Sequence, residues 1–159
     1  MNSEEVPAEL EQFFASYRAA FEGRDAAAIA AHFGDTVHVA SDTGSAVRLE
    51  LTAAGEWQAV VERLLATYRT LDVRRAEIRA LAVAAVSPRL VQARVDWALF
   101  SQARHPLYEF RALYTLAYGD RVWRIVAIAH DELVQMRPHL SAGSPPSGPR
   151  HGTASRGDR

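Results

Sequence analysis

The side chains that could do chemistry in this chain are a phenol, a few carboxylates and several histidines, all set among apolar residues. Tyr17 falls on the apolar face of a helical pattern, and a buried phenol can donate a hydrogen bond to an enolate or alkoxide oxygen. Arg94 and Asp96 are two residues apart in a strand pattern, so both point to one face. His38 or His130 could act as a general base. Together these groups indicate acid/base chemistry.

Other classes of chemistry are excluded or disfavoured by composition. The chain has no cysteine, and all 18 basic residues are arginine, so thiolate nucleophiles, Cys-zinc sites and lysine Schiff bases are excluded. No His spacing typical of a metal site, no Gly-x-Ser-x-Gly elbow and no glycine-rich phosphate loop occurs. We therefore expect no metal and no cofactor.

The elements that would position these residues begin with two helices. Residues 7–22 have apolar side chains at helical spacing, and Asp25 can cap a short second helix. Two short strands at 36–41 and 46–51 follow. Thr52 can cap a third helix, whose apolar residues recur at helical spacing from Trp57 to Tyr68.

Four long strands complete the pattern, at 73–86, 90–101, 107–118 and 121–131. The breaks between them are short, which indicates antiparallel hairpins. In the second long strand we expect Val95, Trp97 and Leu99 to face the helices. Both strand faces carry apolar residues, and because one helix layer covers only one sheet face, we expect a homodimer through the other.

The chain of 159 residues, 48% of them hydrophobic, fits one domain, which we place at residues 1–137. Residues 138–159 are rich in Pro, Gly and Ser, and we expect a disordered tail there. The acidic N-terminus lacks an apolar signal core and no long apolar run occurs, so we expect a cytoplasmic protein. A net charge of −1 favours neither nucleic acid nor membrane as a partner.

Several aromatic residues fall on helices and strands that could enclose a pocket for a small apolar organic ligand. Plain core packing is the alternative for the same residues, and both can hold at once. The residues that we expect to contact a ligand are Trp57, Trp97, Phe110, Tyr114 and Trp123.

The order of these elements resembles a known superfamily. The chain has a helix, the triplet Gly-Arg-Asp, a short Ala-rich helix ending in His-Phe, a Gly-Asp pair and a strand. A third helix and strands ending in GDRVWRIVAIAHDE follow. This order is similar to that of nuclear-transport-factor-2-like proteins. That superfamily includes SnoaL-like polyketide cyclases, ketosteroid isomerases and limonene-epoxide hydrolases. The resemblance covers about residues 7–132. It implies a cone-shaped α+β fold with three N-terminal helices packed on a curved, mainly antiparallel sheet.

The resemblance also implies roles for particular residues. In ketosteroid isomerases, a tyrosine on the first helix at the same distance from the aspartate matching Asp25 donates to the oxyanion, which implies this role for Tyr17. The isomerase base position falls on Ser41, with Asp42 one residue further on. The alternative for Tyr17 is packing of its ring in the core, and for Asp42 it is local hydrogen bonding in the turn at Gly44.

The pair Arg94 and Asp96 resembles the Arg-x-Asp of limonene-epoxide hydrolases, whose arginine bridges two aspartates. The second aspartate should lie near the middle of the last strand, where none occurs before Asp131. Epoxide hydrolysis by that mechanism is therefore not expected. We favour an ion pair on the second face of the sheet, either exposed or in a dimer interface.

These observations favour a homodimeric SnoaL-like domain that binds a small organic molecule. If it is an enzyme, we expect cofactor-free isomerisation, cyclisation, dehydration or hydration. Tyr17 would be the hydrogen-bond donor, and Asp42, His38 or Asp96 the base. The alternative is a noncatalytic ligand-binding or dimerisation module whose cavity is filled by its own side chains. A third possibility is a domain that docks another protein on the second sheet face.

Overall fold

A computed structural model describes residues 6–102 and 104–141. The elements follow one another along the chain as α1 (Ala8–Glu22), α2 (Ala26–Ala30), β1 (Phe33–Asp42), β2 (Val47–Ala53), a 3-10 turn (Ala54–Glu56), α3 (Trp57–Thr70), β3 (Val73–Ser87), β4 (Leu90–Ser101), β5 (Pro106–Gly119), β6 (Val122–His130) and α4 (Glu132–Ser141). The chain has the expected α+β architecture, with helices packed on a curved, mainly antiparallel sheet.

The six strands are arranged in the order β2-β1-β6-β5-β4-β3. All neighbours pair antiparallel except β1 and β6, which are parallel. This parallel pair joins the first hairpin to the meander of long strands. It sets Ser41 directly beside His130, so the carboxyl ends of the first and last strands meet.

The core lies between the helices and one face of the sheet. Phe14 and Leu10 of α1 and Val95 of β4 are almost completely buried. Trp97 and Leu99 are also buried in this core, and the Trp97 ring lies 6.2 Å from the Tyr17 ring on α1. The prediction that Val95, Trp97 and Leu99 face the helices is confirmed.

Local signals set several boundaries. Asp25 caps α2 as predicted, since its Oδ1 accepts from the Ala28 amide at 3.0 Å. The predicted Thr52 cap is wrong, because Thr52 lies in β2 and α3 begins only at Trp57. There the Glu56 carboxylate accepts from the Ala53 amide at 3.0 Å and closes the turn before the helix. All four long strands lie within about two residues of their predicted bounds.

The helix α4 was not predicted. It begins two residues after β6 ends and runs through Pro138 to Ser141, so it crosses the domain boundary placed at residue 137. Met136 is buried, which packs α4 against the rest of the fold. The remainder of the expected tail, residues 142–159, lies outside the described residues. No helix in the described part of the chain is long and apolar enough to span a membrane.

Candidate active site

A cavity of about 1010 Å³ lies between the inner face of the sheet and the helices. This size falls at the upper end of typical small-molecule sites. Four of the five predicted ligand-contacting aromatics line it, namely Trp57, Trp97, Phe110 and Tyr114. Trp57 stacks on Phe33 with ring centroids 4.1 Å apart, which fixes one wall.

The carboxylate of Glu132 is the buried acid of this cavity. Glu132 is the first residue of α4, is 7% exposed and lines the cavity. Tyr68 of α3 and Tyr108 of β5 both donate to its Oε1, the latter at 3.1 Å. No side chain or amide within residues 6–102 and 104–141 donates to Oε2. One oxygen is therefore held by two hydrogen bonds, while the other has no donor among the described residues.

Burial raises the pKa of Glu132 to about 7, although the hydrogen bonds from Tyr68 and Tyr108 act in the opposite direction. Among the described residues, no arginine or histidine lies within ion-pair distance of this carboxylate. A carboxyl group with a pKa near 7 can both give and accept a proton at neutral pH. This is the strongest signature of chemistry in the cavity.

Two further tyrosines supply hydroxyl groups on the cavity wall. The indole Nε1 of Trp97 donates to the hydroxyl oxygen of Tyr114 at 3.0 Å, so the Tyr114 proton is free to point elsewhere. Tyr17 lies beside it, with ring centroids 5.9 Å apart. Burial raises the pKa of both phenols, and Tyr114 raises the pKa of Tyr17 further. The charge of Glu132 also raises both pKa values, whereas hydrogen bonding with Trp97 and Tyr17 acts in the opposite direction on Tyr114. Both phenols are therefore protonated at neutral pH.

His130 and Ser41 form a second polar pair on the wall. The His130 Nε2 lies 3.0 Å from the Ser41 Oγ, and the His130 Nδ1 lies 3.3 Å from the Glu132 amide. An amide can only donate, so Nδ1 is the acceptor and the neutral ring carries its proton on Nε2. Burial lowers the pKa of His130, and the charge of Arg48 lowers it further, against the opposing effect of Asp131.

Two of the predicted bases do not reach the cavity. Asp42 is exposed, and its Oδ1 accepts from the Gly44 amide at 2.8 Å, which is the turn role named as its alternative. His38 is exposed on the outer face of β1. Side chains alternate between the two faces of a strand, and His38 lies three residues before Ser41, which faces inward. His38 and His130 therefore point to opposite faces of the sheet and do not meet.

Asp96 also lies outside the cavity. It projects from the outer face of β4 and pairs with Arg111 of β5, at 2.6 and 3.0 Å, rather than with Arg94. Hydrogen bonds from Arg111 lower the pKa of Asp96, the reverse of what a base requires. This placement agrees with the ion pair that the sequence favoured.

Trp123 lines a separate, smaller cavity of about 480 Å³ together with Phe13 and His32. Its Nε1 donates to Glu9 at 3.2 Å. Trp123 is therefore not in contact with the main cavity, where a ligand-contacting role was expected. Of the residues to which the sequence assigned a catalytic role, the structure brings Tyr17 and His130 to the large cavity.

Sequence reasoning missed Glu132, Tyr68 and Tyr108. Tyr68 was recognised only as part of an apolar helical face. Glu132 follows directly after the last strand, where no helix was expected. One sequence signal could have pointed to Glu132. Its carboxylate lies between the end of the last strand at His130 and the apolar residues Leu133 and Val134. No group of three His, Asp or Glu suited to a metal ion occurs in the described part of the chain.

Comparison with solved structures shows that other proteins share this fold. An NTF2-like protein of unknown function from Pseudomonas putida has a similar fold, with a TM-score of 0.62 at 15% identity over 80% of this chain and 87% of that one. The protein Aln2 from a Streptomyces species matches with a TM-score of 0.63 at 18% identity over 89% and 99% of the two chains. A putative aromatic ring hydroxylase from Novosphingobium aromaticivorans matches at 0.58 and 9% identity over 77% and 85%.

No curated protein matched the chain. These structural likenesses are distant in sequence and show the fold alone. The family model described as "NTF2-like protein (DUF6841)" matches residues 5–133, which include every element from α1 to β6 and the carboxylate of Glu132. The chain therefore belongs to this family of NTF2-like proteins.

Proposed function

We propose that this protein is an enzyme that moves a proton on a small, largely apolar organic molecule bound in the 1010 Å³ cavity. Glu132 takes the proton from carbon and returns it, and the cavity hydroxyls stabilise the oxygen that becomes negative. The reaction class is isomerisation, cyclisation or dehydration next to a carbonyl group. The proposal rests above all on the arrangement of Glu132, whose Oε1 is held by two phenols while Oε2 has no donor among the described residues.

The division of labour follows from the hydrogen bonds. Tyr68 and Tyr108 are committed to Glu132, so they hold the carboxylate in place and cannot serve the ligand at the same time. The Tyr114 oxygen accepts from Trp97, which leaves its proton available to a ligand oxygen. Tyr17, beside Tyr114, has the donor role that the family resemblance suggested. A carbonyl oxygen held there would be stabilised as it gained negative charge.

A generic probe reaction tests this proposal without knowledge of the natural substrate. In 5-nitrobenzisoxazole, a base removes the proton from C3, the nitrogen–oxygen bond breaks, and 2-cyano-4-nitrophenolate forms and absorbs visible light. We expect the wild-type protein to accelerate this elimination with a kcat/KM that rises with pH through about 7, because the base must be ionised.

The Glu132→Gln variant should lose at least about 100-fold of that rate, since general bases contribute on this scale. Asp96→Asn and Asp42→Asn are matched controls, because both carboxylates lie outside the cavity, and they should leave the rate unchanged. A wild-type rate no greater than that of Glu132→Gln would contradict the proposal. Retained binding of the probe in that case would favour the noncatalytic binding module.

We also propose that a second copy of the chain covers part of the outer sheet face. Val47 and Leu49 on the edge strand β2 are 66% and 77% exposed and do not line the cavity. An exposed apolar edge strand is a common pairing surface. Light scattering should show a dimer that Leu49→Asp converts to a monomer, whereas Val86→Asp on the opposite edge strand should remain dimeric. A monomeric wild-type protein would contradict this assembly.

A further inference from the structure

Three residues on neighbouring strands form a polar row across one end of the cavity. Ser41 of β1 pairs in register with Arg48 of β2 on one side and with His130 of β6 on the other. Directly paired residues point to the same sheet face, and all three line the cavity. The side chain of Ser41 is buried and that of Arg48 is 55% exposed. The row therefore runs from the enclosed part of the cavity towards solvent.

The hydroxyl of Ser41 is prepared as a donor. Its oxygen accepts from the His130 Nε2, because the His130 Nδ1 is occupied by the Glu132 amide. The hydroxyl proton of Ser41 then has no acceptor among the described residues and can be donated into the cavity. His130 acts here as a positioning residue, since it orients the serine without needing to touch the ligand.

The guanidinium of Arg48 is the charged part of the row. Its one ion pair within the described chain is with Glu50, at 3.9 Å, which is longer than a hydrogen bond. Glu50 also lines the cavity and competes for this guanidinium. An arginine with most of its donors unengaged, next to a serine hydroxyl, matches the needs of a carboxylate, which accepts several hydrogen bonds on two oxygens.

We propose that Arg48 and Ser41, the latter oriented by His130, bind a carboxylate group of the ligand. The natural ligand is then an organic acid whose apolar body fills the aromatic part of the cavity. The inference rests on the proposed function of that cavity and adds its substrate class.

A matched pair of probes tests this inference by isothermal titration calorimetry at pH 6. 2-Naphthylacetate carries a carboxylate and 2-naphthylacetamide is its neutral counterpart of the same shape. We expect the acid to bind at least about tenfold more tightly than the amide, which is a modest effect for a charge-assisted pair. Arg48→Gln and Ser41→Ala should each remove most of that preference. Arg94→Gln, on the exposed outer face of β4, should retain it.

Equal binding of acid and amide, an unchanged preference in Arg48→Gln, or no binding of either probe at millimolar concentration would overturn the inference. Glu132→Gln separates this outcome from failure of the proposed function. That variant lacks the proton-transfer group but keeps the row, so it should bind the acid at least as tightly as the wild-type protein. Its probe-reaction rate reports on Glu132, and its affinity for the acid reports on the row.

Discussion

Two carboxylates on opposite faces of one sheet have opposite chemistry. Asp96, on the outer face, receives two hydrogen bonds from Arg111, which lower its pKa. Glu132, on the inner side, is enclosed by phenols without a cation, and burial raises its pKa to about 7. A nearby cation stabilises the ionised form of a carboxyl group. Burial among neutral hydrogen-bond donors instead leaves the ionised and protonated forms similar in free energy near pH 7. The surroundings, and not the residue type, decide which acid is reactive.

Removal of the Glu132 charge should have the largest effect on stability. The pKa of Glu132 is higher in the folded protein, about 7, than the ordinary value of 4.5, so folding favours the protonated form. This stabilisation is complete below pH 4.5 and is lost as pH rises through 7. Wild-type protein should lose about 3 kcal/mol of unfolding free energy over that range relative to Glu132→Gln.

Urea unfolding of both proteins from pH 4.5 to 8.5 measures this difference. His130 is present in both proteins, so its own titration cancels. The Gln side chain keeps a carbonyl oxygen for Tyr68 and Tyr108, which makes it the closest uncharged replacement. Parallel curves of unfolding free energy against pH would show that Glu132 does not titrate differently in the folded state.

Loss of one phenol should have an intermediate effect. Tyr108→Phe removes a hydrogen bond that stabilises the ionised form of Glu132, so the pKa of Glu132 should rise. The midpoint of the probe-reaction rate should move to higher pH, and the protein should lose about 1 kcal/mol of stability at pH 8. Tyr118→Phe, in an exposed position far along β5, is the control. A midpoint that moved to lower pH would contradict the role of Tyr108.

The smallest effect is expected on the outer face. Asp96→Asn breaks a pair in which the Arg111 side chain is 61% exposed, so the melting temperature should change by at most about 2 °C. The lowered pKa of Asp96 contributes stability above its ordinary value of 3.8, and this contribution is lost as pH falls below it. A much larger loss by calorimetry at pH 7 would indicate that this pair is buried in an assembly.

The fold was predictable because its signals are local and repeated. Apolar spacing located α1 and α3, and the short breaks near Pro88 and Gly119 defined the antiparallel strands within about two residues. The same alternation placed Trp97 on the inner face. The parallel contact of β1 with β6 joins residues far apart in the chain. No local pattern in the sequence predicts this contact.

The site was less predictable, because a base is defined by its surroundings. Asp42 and Ser41 are adjacent, yet only the serine faces the cavity, and one residue of strand phase decides this. Glu132 becomes reactive only through Tyr68 and Tyr108, which come from elements 64 and 24 residues away. Composition also hid α4, because the Pro- and Gly-rich segment after it resembles a tail that begins at Pro138. The spacing of apolar residues in a single sequence does not show which side chains from distant elements meet in the folded protein.

The helix that carries Glu132 is fastened to a surface hairpin. Arg137 of α4 donates to the carbonyl of Thr43 in the β1–β2 turn, and Gly44, with φ of 85°, lies under Arg137 and Val134. Exposed hairpin turns usually tolerate insertions and deletions among related proteins. Here a longer turn would lift α4 and displace the acid from Tyr68. Relatives that keep the acid are therefore expected to share the length of this hairpin, a trait that an alignment could use to separate them from the rest of the superfamily.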